Sequence, residues 1–521
     1  MVQYQTALET VLVNSDQRII DLPLLTPAMI AKIDQRNATA VAWPAHTLAQ
    51  QFYTHVLEQP DHIALIDNVT GQQWSYGQLH QIATYIANHL NTMFTDPHQM
   101  IVMLHIEPLA QLVIAILAVQ YAGMIYYCID RSAPEERKAL MNGVVQPDLL
   151  LVDQPQMFAL ALPQLEISLL LEEAQTSLFD AISPLSQRPK GSVEDLSYLI
   201  FTSGTTGTPK GVALSHQLVM STLYQPRHLP VSQRVFYSAN ETFDCVTLQL
   251  WSAWIHVATV ITPERKAIAD PQRMQKLIVN YQPDNIFLAT GLFDSYMQSV
   301  KAALFSTVDT VISGGDVVNP TVVRAAKQAG VKILFNIYGP AETCVYSFAY
   351  AVRRKISGTV PLRWISNNMQ VYILDSQQQH VPDVAIGELY FVGQGLARGY
   401  HNRPDLDENA FVEITLPGSK KEKVRAYRSG DYGYWREEGL IFVGRRDDQV
   451  KIRGYRVELK EVRLALEAVP GVILGVVIAP GEAGHRELHG FYISNNPLDS
   501  SQVRKELANK LPEYMVPRYL Q

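Results

Sequence analysis

Apolar positions along this chain follow two recurring patterns. Short apolar runs occur at HIALID (62–67), MIVMLHI (100–106), DLLLV (148–152), RVFYSA (234–239), TVITP (259–263), NIFLA (285–289), TVISGG (310–315) and KILFNIYG (332–339). They alternate with longer stretches in which apolar residues recur at helical spacing. Runs without polar alternation predict strands buried on both faces, and their interleaving with helices predicts an α/β architecture of largely parallel sheets. The segment 112–129, LVIAILAVQYAGMIYYCI, is apolar enough to raise the question of a membrane span. Gln120, Gly123 and a tyrosine pair interrupt it, Glu107 and Asp130 flank it, and no basic flank is present. A buried helix followed by a buried strand is therefore expected.

The pattern changes near Gly444. GRRDDQVKIRGYRVE (444–458) is densely charged, and a small βα pattern follows in VELKEVRLALEAV, GVVIAP, LHGFYIS and VRKELANKL. This predicts a large N-terminal domain of largely parallel sheets with flanking helices at 46–446, plus a small α+β C-terminal domain at 447–521. Residues 1–45 are polar and irregular and read as a linker.

The chain's 521 residues exceed what one compact core accommodates. A 47% hydrophobic and 18% charged composition is that of a globular protein. A net charge of −7 without a Lys/Arg block argues against nucleic acid as a partner. Cys128, Cys245 and Cys344 lie far apart without metal-type spacing, which fits a reducing compartment. The start, MVQYQTALETVLVNSD, lacks the basic residues and apolar core of a signal peptide. A cytoplasmic protein with no membrane segment is expected.

The chemistry concentrates first at 196–212, LSYLIFTSGTTGTPKGV. A buried strand runs into a Ser/Thr/Gly loop that closes on Lys210. Gly204 and Gly207 let backbone N–H groups turn inward, Thr202, Ser203, Thr205 and Thr206 add hydroxyls, and Lys210 supplies a point charge. Such a loop suits a polyphosphate, or is simply a flexible surface turn. It is not the common phosphate loop, because a second apolar run rather than a Ser/Thr-initiated helix follows the lysine. NIYGPAET (336–343) lies at the C-terminal end of a strand, where α/β proteins bind ligands. There Tyr338 can stack on a base and Glu342 can hold Mg²⁺ together with phosphate oxygens. Asp431 in YRSGD can accept two ribose hydroxyls or simply form a turn, and Arg445 adds a positive fork. Asp244 in FDCVTLQLW is a carboxylate within an apolar run. It is either a helix N-cap or the partner of a substrate cation.

Taken in order, WSYGQL, LAVQYAGMIYYCID, the 196–212 loop, FDCVTLQLW, NIYGPAET, GELYFVGQGLARGY, YRSGD, GRRDDQVKIRGYRVEL and LPEYMVP span nearly the whole chain. The chain resembles the adenylation domains of nonribosomal peptide synthetases, in the adenylate-forming superfamily that includes acyl-CoA synthetases and luciferases. The resemblance implies an ATP- and Mg²⁺-dependent ligase that converts an amino acid to aminoacyl-AMP and passes it to the phosphopantetheine thiol of a carrier protein. It implies that Tyr338 stacks adenine, that Gly315 and Asn336 line it, that Phe442 lies near the nucleotide, and that Glu342 coordinates Mg²⁺. Thr202, Lys210, Glu342 and Arg445 would be catalytic. Asp447 takes the hinge position about which a mobile small domain turns between the two half-reactions.

By the same resemblance Asp244 binds the substrate's α-ammonium, and Cys245, Leu248, Phe287, Ile312, Gly314, Ile337, Val345 and Tyr346 line the side-chain pocket. None of these lining residues is charged, so an aliphatic substrate of Ile, Leu or Val size is expected. Departures from the pattern include Ala341 for a usual Thr, Val246 for Ser and Gln249 for Glu. Residues 1–45 resemble the linker that follows a condensation domain, which implies a larger modular protein. No Asn-Gly-Lys segment follows LPEYMVP, so by the resemblance the lysine that would bridge carboxylate and α-phosphate is not in this sequence: either the chain is trimmed or adenylation is crippled, and the chain as given is expected to adenylate slowly. The alternatives are an acyl- or aryl-CoA ligase and a non-catalytic nucleotide-binding docking module.

Overall fold

The computed structural model describes residues 25–155, 162–180, 188–204, 207–299, 307–352, 359–419, 422–452, 454–481 and 486–521. Two large sheets and a smaller one build the first part of the chain. A nine-stranded sheet takes in Ile63–Asp67, Arg234–Phe236, Thr259–Thr262, Asn285–Ala289, Thr310–Gly314 and Ile333–Tyr338, with antiparallel strands only toward its margins. A seven-stranded sheet holds Ile101–His105, Ile125–Cys128, Leu149–Val152 and Leu196–Thr202 in parallel, with Lys210–Ser215 antiparallel to the last. Every apolar run named above contains a strand within a residue or two of its expected limits, except that RVFYSA ends as a strand at Phe236, three residues early.

Helix Leu109–Tyr121 contacts strands of both large sheets. That position explains its composition, since a helix covered on all sides has no polar face. The expected helix-then-strand reading of 112–129 therefore holds. Among the described residues no helix is long and apolar enough to cross a membrane.

A five-stranded antiparallel sheet, Met369–Leu374, Gly387–Gly393, Phe411–Thr415, Lys423–Arg436 and Gly439–Arg445, completes the large domain. Helix Pro27–Arg36, N-capped by Thr26, fastens the N-terminal segment to it. Lys32 and Arg36 both reach Asp383, at 2.7 and 2.6 Å, and Asn37 bonds Val371 in both directions at 2.8 and 3.2 Å. The stretch expected to be irregular thus has a helix held by charge and backbone pairing. Residues 1–24 lie outside the described residues.

After residue 447 come a hairpin, Gln449–Ile452 with Tyr455–Glu458, and a three-stranded sheet packed on helices Leu459–Glu467 and Ser500–Ala508. Val457, Val462, Leu466, Val503 and Leu507 form its own core.

Phe52 is 1% exposed, with ring centroids 4.8 Å from Tyr76 and 5.1 Å from Trp254. Phe52→Ala should cost about 3–5 kcal/mol through lost burial and the cavity left behind. Urea unfolding of the large-domain transition will show this as a lowered midpoint.

Candidate functional site

Parallel strands end on one side, so Asn285–Ala289, Thr310–Gly314 and Ile333–Tyr338 deliver their C-termini together. Strand backbones approach closely here. A Cβ on Gly314 would lie 2.6 Å from Ile337 Cγ1. Opposite them, strand Leu196–Thr202 launches the loop expected to receive phosphate, and a Cβ on Gly204 would lie 1.8 Å from the Thr208 carbonyl oxygen, which admits only glycine. The Thr202 hydroxyl is buried without a hydrogen-bond partner, a donor suited to a ligand oxygen. Thr205 and Thr206 lie outside the described residues.

Between the large and small domains lies a cleft of about 1370 Å³. Of the expected residues, Thr202, Ser203, Asp244, Cys245, Phe287, Gly314, Gly315, Ile337, Tyr338, Val345, Asp431 and Arg445 line it. Lys210, Asn336 and Glu342 are buried.

Tyr338 ends its strand with its ring 5.9 Å from Phe442 and donates its hydroxyl to Asp431. Lys451 Nζ lies 5.6 Å from the same ring. Arg445 Nη1 bonds Asp431 at 2.9 Å while its Nε and Nη2 form a fork onto Asp447 at 2.7 and 2.6 Å. The expected ribose acceptor and the expected hinge are therefore joined through one guanidinium. Gly444 pairs with Tyr432 and Phe442 with Gly433, which leaves Val443 as a bulge that reorients Phe442 toward Tyr338.

Glu342 is fully buried. Its Oε1 accepts the Tyr400 hydroxyl at 2.7 Å, and Arg456 Nη1 lies 3.2 and 3.1 Å from its two oxygens. Burial alone would raise its pKa, but the Arg456 charge and the Tyr400 hydrogen bond outweigh burial and hold the carboxyl below its ordinary value. In this arrangement the carboxylate is committed to a guanidinium and does not fit Mg²⁺. Among the described residues no cluster of His, Cys, Asp and Glu offers a metal site in its place. Lys210 Nζ lies 3.9 Å from Glu458, and burial together with the Arg456 charge lowers its pKa.

Asp244 precedes helix Cys245–Ile255 but makes no side-chain cap hydrogen bond. Burial, followed by the nearby charge of Glu342, pushes its carboxyl up to about 7, against the lowering influence of Lys451. Cys245, Phe287, Gly314, Ile337 and Val345 share the cleft wall with it. Leu248, Phe287, Ile312 and Tyr346 border a second cavity of about 20 Å³ behind that wall. Cys344 and Val345 adopt φ of +57° and +58°. Two non-glycine residues in the left-handed region, one of them β-branched, mark a turn forced on the chain by its surroundings. Nothing in TCVY predicts it.

Sequence reasoning passed over several residues that reach this site. Phe243 packs edge-on against Tyr455 at 4.7 Å, and Tyr455 stacks on Tyr514 at 3.8 Å. Arg456, Glu458 and Glu461 contact Glu342, Lys210 and Gly204 respectively. The first two lie in GRRDDQVKIRGYRVEL, whose charge density was the available signal, but density alone does not say which side chain faces the cleft.

Residues 52–401 match the family described as AMP-binding enzyme. The dimodular nonribosomal peptide synthase of Bacillus subtilis is 30% identical over 98% of this chain, which covers 21% of that protein. Surfactin synthase subunit 3 of the same organism is 31% identical over 99% of this chain, covering 40% of that protein. The chain therefore spans well under half the length of these relatives. An artificially fused adenylation–PCP didomain from Klebsiella oxytoca shares the fold with a TM-score of 0.80, at 22% identity over 92% of this chain and 94% of that one.

A buried acid whose pKa rises on folding favours the native state at low pH, and that contribution is lost as pH climbs toward about 7. Asp244→Asn removes the penalty. In the ligand-free protein, thermal unfolding should show the variant gaining more stability over the parent at pH 8 than at pH 5.

Proposed function

The chain belongs to the AMP-binding enzyme family, and we propose that it is an adenylation domain of a nonribosomal peptide synthetase. It activates an amino acid with ATP to give aminoacyl-AMP and pyrophosphate, then passes the acyl group to the phosphopantetheine thiol of a peptidyl carrier protein. The observation that carries this reading is Asp244. It stands on the cleft wall, uncapped and held near neutrality by its surroundings, beside the phosphate loop and Tyr338. A substrate ammonium would supply the charge that such a carboxylate lacks. A fatty or aryl acid would leave it unpaired.

In this reading the substrate carboxylate attacks the α-phosphate in line. The Thr202 hydroxyl, which has no partner, would donate to a phosphate oxygen, Ser203 and Gly204 would join it once their bonds to Arg456 and Glu461 open, and Lys210 would add its charge. Tyr338 and Asp431 would hold the adenosine. Mg²⁺ belongs to the proposal as the companion of ATP, but Glu342 is open to it only when Arg456 has withdrawn. The domain division at 447, with Asp447 as hinge, follows the same reading.

The acceptor is read as a carrier-bound arm rather than free CoA. Arg131, Arg137 and Arg265 line the cleft, yet each is already paired, with Asp153, Glu461 and Glu241 respectively. Arginines so engaged suit a neutral pantetheine arm better than a nucleotide bearing several phosphates. Three unpaired cysteines accord with a cytoplasmic setting.

Amino-acid-dependent pyrophosphate exchange tests the reaction. Exchange driven by fatty or aryl acids instead would favour the CoA-ligase alternative. With Cys245, Phe287, Ile337 and Val345 around the substrate side chain, Ile, Leu or Val should exceed Asp, Lys and Arg in the same assay, because burying an unpaired charge costs far more than misfitting a methylene. A panel led by a charged amino acid would reject the aliphatic pocket.

Asp244→Asn should weaken amino-acid binding by about 2–5 kcal/mol, the usual cost of truncating one partner of a buried charge pair. ATP binding should be nearly unaltered. Equilibrium titration of each ligand separates the two effects.

A further inference from the structure

The groups expected to receive polyphosphate and its metal are already engaged, and by one segment of the small domain. The Arg456 guanidinium sits on Glu342, and the Arg456 carbonyl accepts the Ser203 hydroxyl at 2.9 Å. Glu461, on helix Leu459–Glu467, accepts the Gly204 N–H at 3.2 Å and pairs with Arg137. Glu458 faces Lys210 at 3.9 Å. The charges are ordered as a metal–phosphate ligand would order them. A cation rests on the buried carboxylate, and anions rest on the loop amide and on the lysine. Gln449 holds this array in shape, since its amide oxygen accepts from Arg456 Nε at 2.9 Å and its nitrogen donates to Glu458.

We propose that Arg456, Glu458 and Glu461 form an internal replacement for the metal and polyphosphate, so that this docking of the small domain and the binding of magnesium pyrophosphate exclude each other. The inference rests on reading the cleft as an ATP site. Its physical basis is that Glu342, fully buried, is costly without a cation. Were the metal to leave with pyrophosphate and nothing follow, the carboxylate would be stranded. Arg456 removes that penalty, and Glu461 and Glu458 meet the donors that the phosphate oxygens vacate. Binding linkage is reciprocal, so whatever expels pyrophosphate on docking also resists its return. The docked domain would then hold the adenylate against reversal while a thiol approaches.

The test is calorimetric titration of magnesium pyrophosphate, and separately of AMP, into the parent, Arg456→Met and Glu461→Gln, with circular dichroism to establish folding. Each variant weakens docking at a different point. Both should bind magnesium pyrophosphate more tightly, by about fivefold or more, the lower end of ordinary site–site coupling. AMP, which brings neither metal nor β- and γ-phosphates, should gain nothing. If one variant fails to fold, the other decides. Equal magnesium pyrophosphate affinities in parent and folded variants, with AMP still bound, overturn this inference and leave the nucleotide site standing. A parent that binds neither AMP, ATP nor pyrophosphate overturns the site reading, and this inference falls with it.

Discussion

A carboxylate without access to water must keep a positive charge beside it, and the cleft is organised around that requirement at Glu342. The residue sits just past strand Ile333–Tyr338, in a short helical turn at Ala341–Thr343. Its position is thus set by the parallel sheet. Tyr400 reaches it from the short strand Gly399–Tyr400, which pairs with Lys210–Ser215 in the other large sheet. Both sheets and the small domain therefore converge on one acid. Interactions of this kind add little net stability, because two charges are desolvated to make one contact. Their consequence here is a defined arrangement: in this docking the domains meet where charge is balanced.

The same acid shapes the substrate side of the cleft. Its charge adds to burial in holding the Asp244 carboxyl near neutrality. Whatever neutralises Glu342 lowers the cost of ionising Asp244 and readies it for an ammonium. In the proposed reading, metal, guanidinium and substrate cation would be coupled through electrostatics in a poorly solvated cleft, with no need for a moving chain of side chains between them. Lys451, over Tyr338, favours ionisation of Asp244 from the small domain. In the proposed reading, domain position would thereby enter the affinity for the amino acid as well as for the nucleotide.

Much of this was legible in the residues. Buried strands announce themselves by unbroken apolar runs, because both faces of a parallel sheet are covered, and Leu109–Tyr121 was readable as a core helix from its interruptions and flanks. The loop after Leu196–Thr202 was legible as a close backbone approach, because Gly204 admits no side chain there, while its phosphate role belongs to the proposed reading. The left-handed turn at Cys344 and Val345 was not, since residues of ordinary propensity are held there by bonds of Cys344 to the Ala341 carbonyl, the Tyr346 N–H and the Thr222 side chain. The two roles of Asp244 also stayed open, because an acid before a helix is the same letter whether it caps or not. The structure shows no cap hydrogen bond at Asp244, and that observation supports the proposed ammonium role.

The pairing of Arg456 with Glu342 lay furthest from the sequence, and the reason is instructive. The two residues stand in separate folding units whose internal patterns are complete without each other: the small domain buries Val457, Val462 and Leu466 in a core of its own. Hydrophobic periodicity reports what a unit buries within itself and carries no record of how two finished units face one another. Charge does carry such a record, in residues that neither unit can satisfy alone. Arg456 projects from a hairpin and Glu342 lies buried just past a strand of the large domain, and among the described residues the close ion pair each makes is with the other, across the boundary. Reading a two-domain chain for ions that its domains leave unpaired is therefore the physical route from sequence to domain placement, where apolar pattern stops at the boundary.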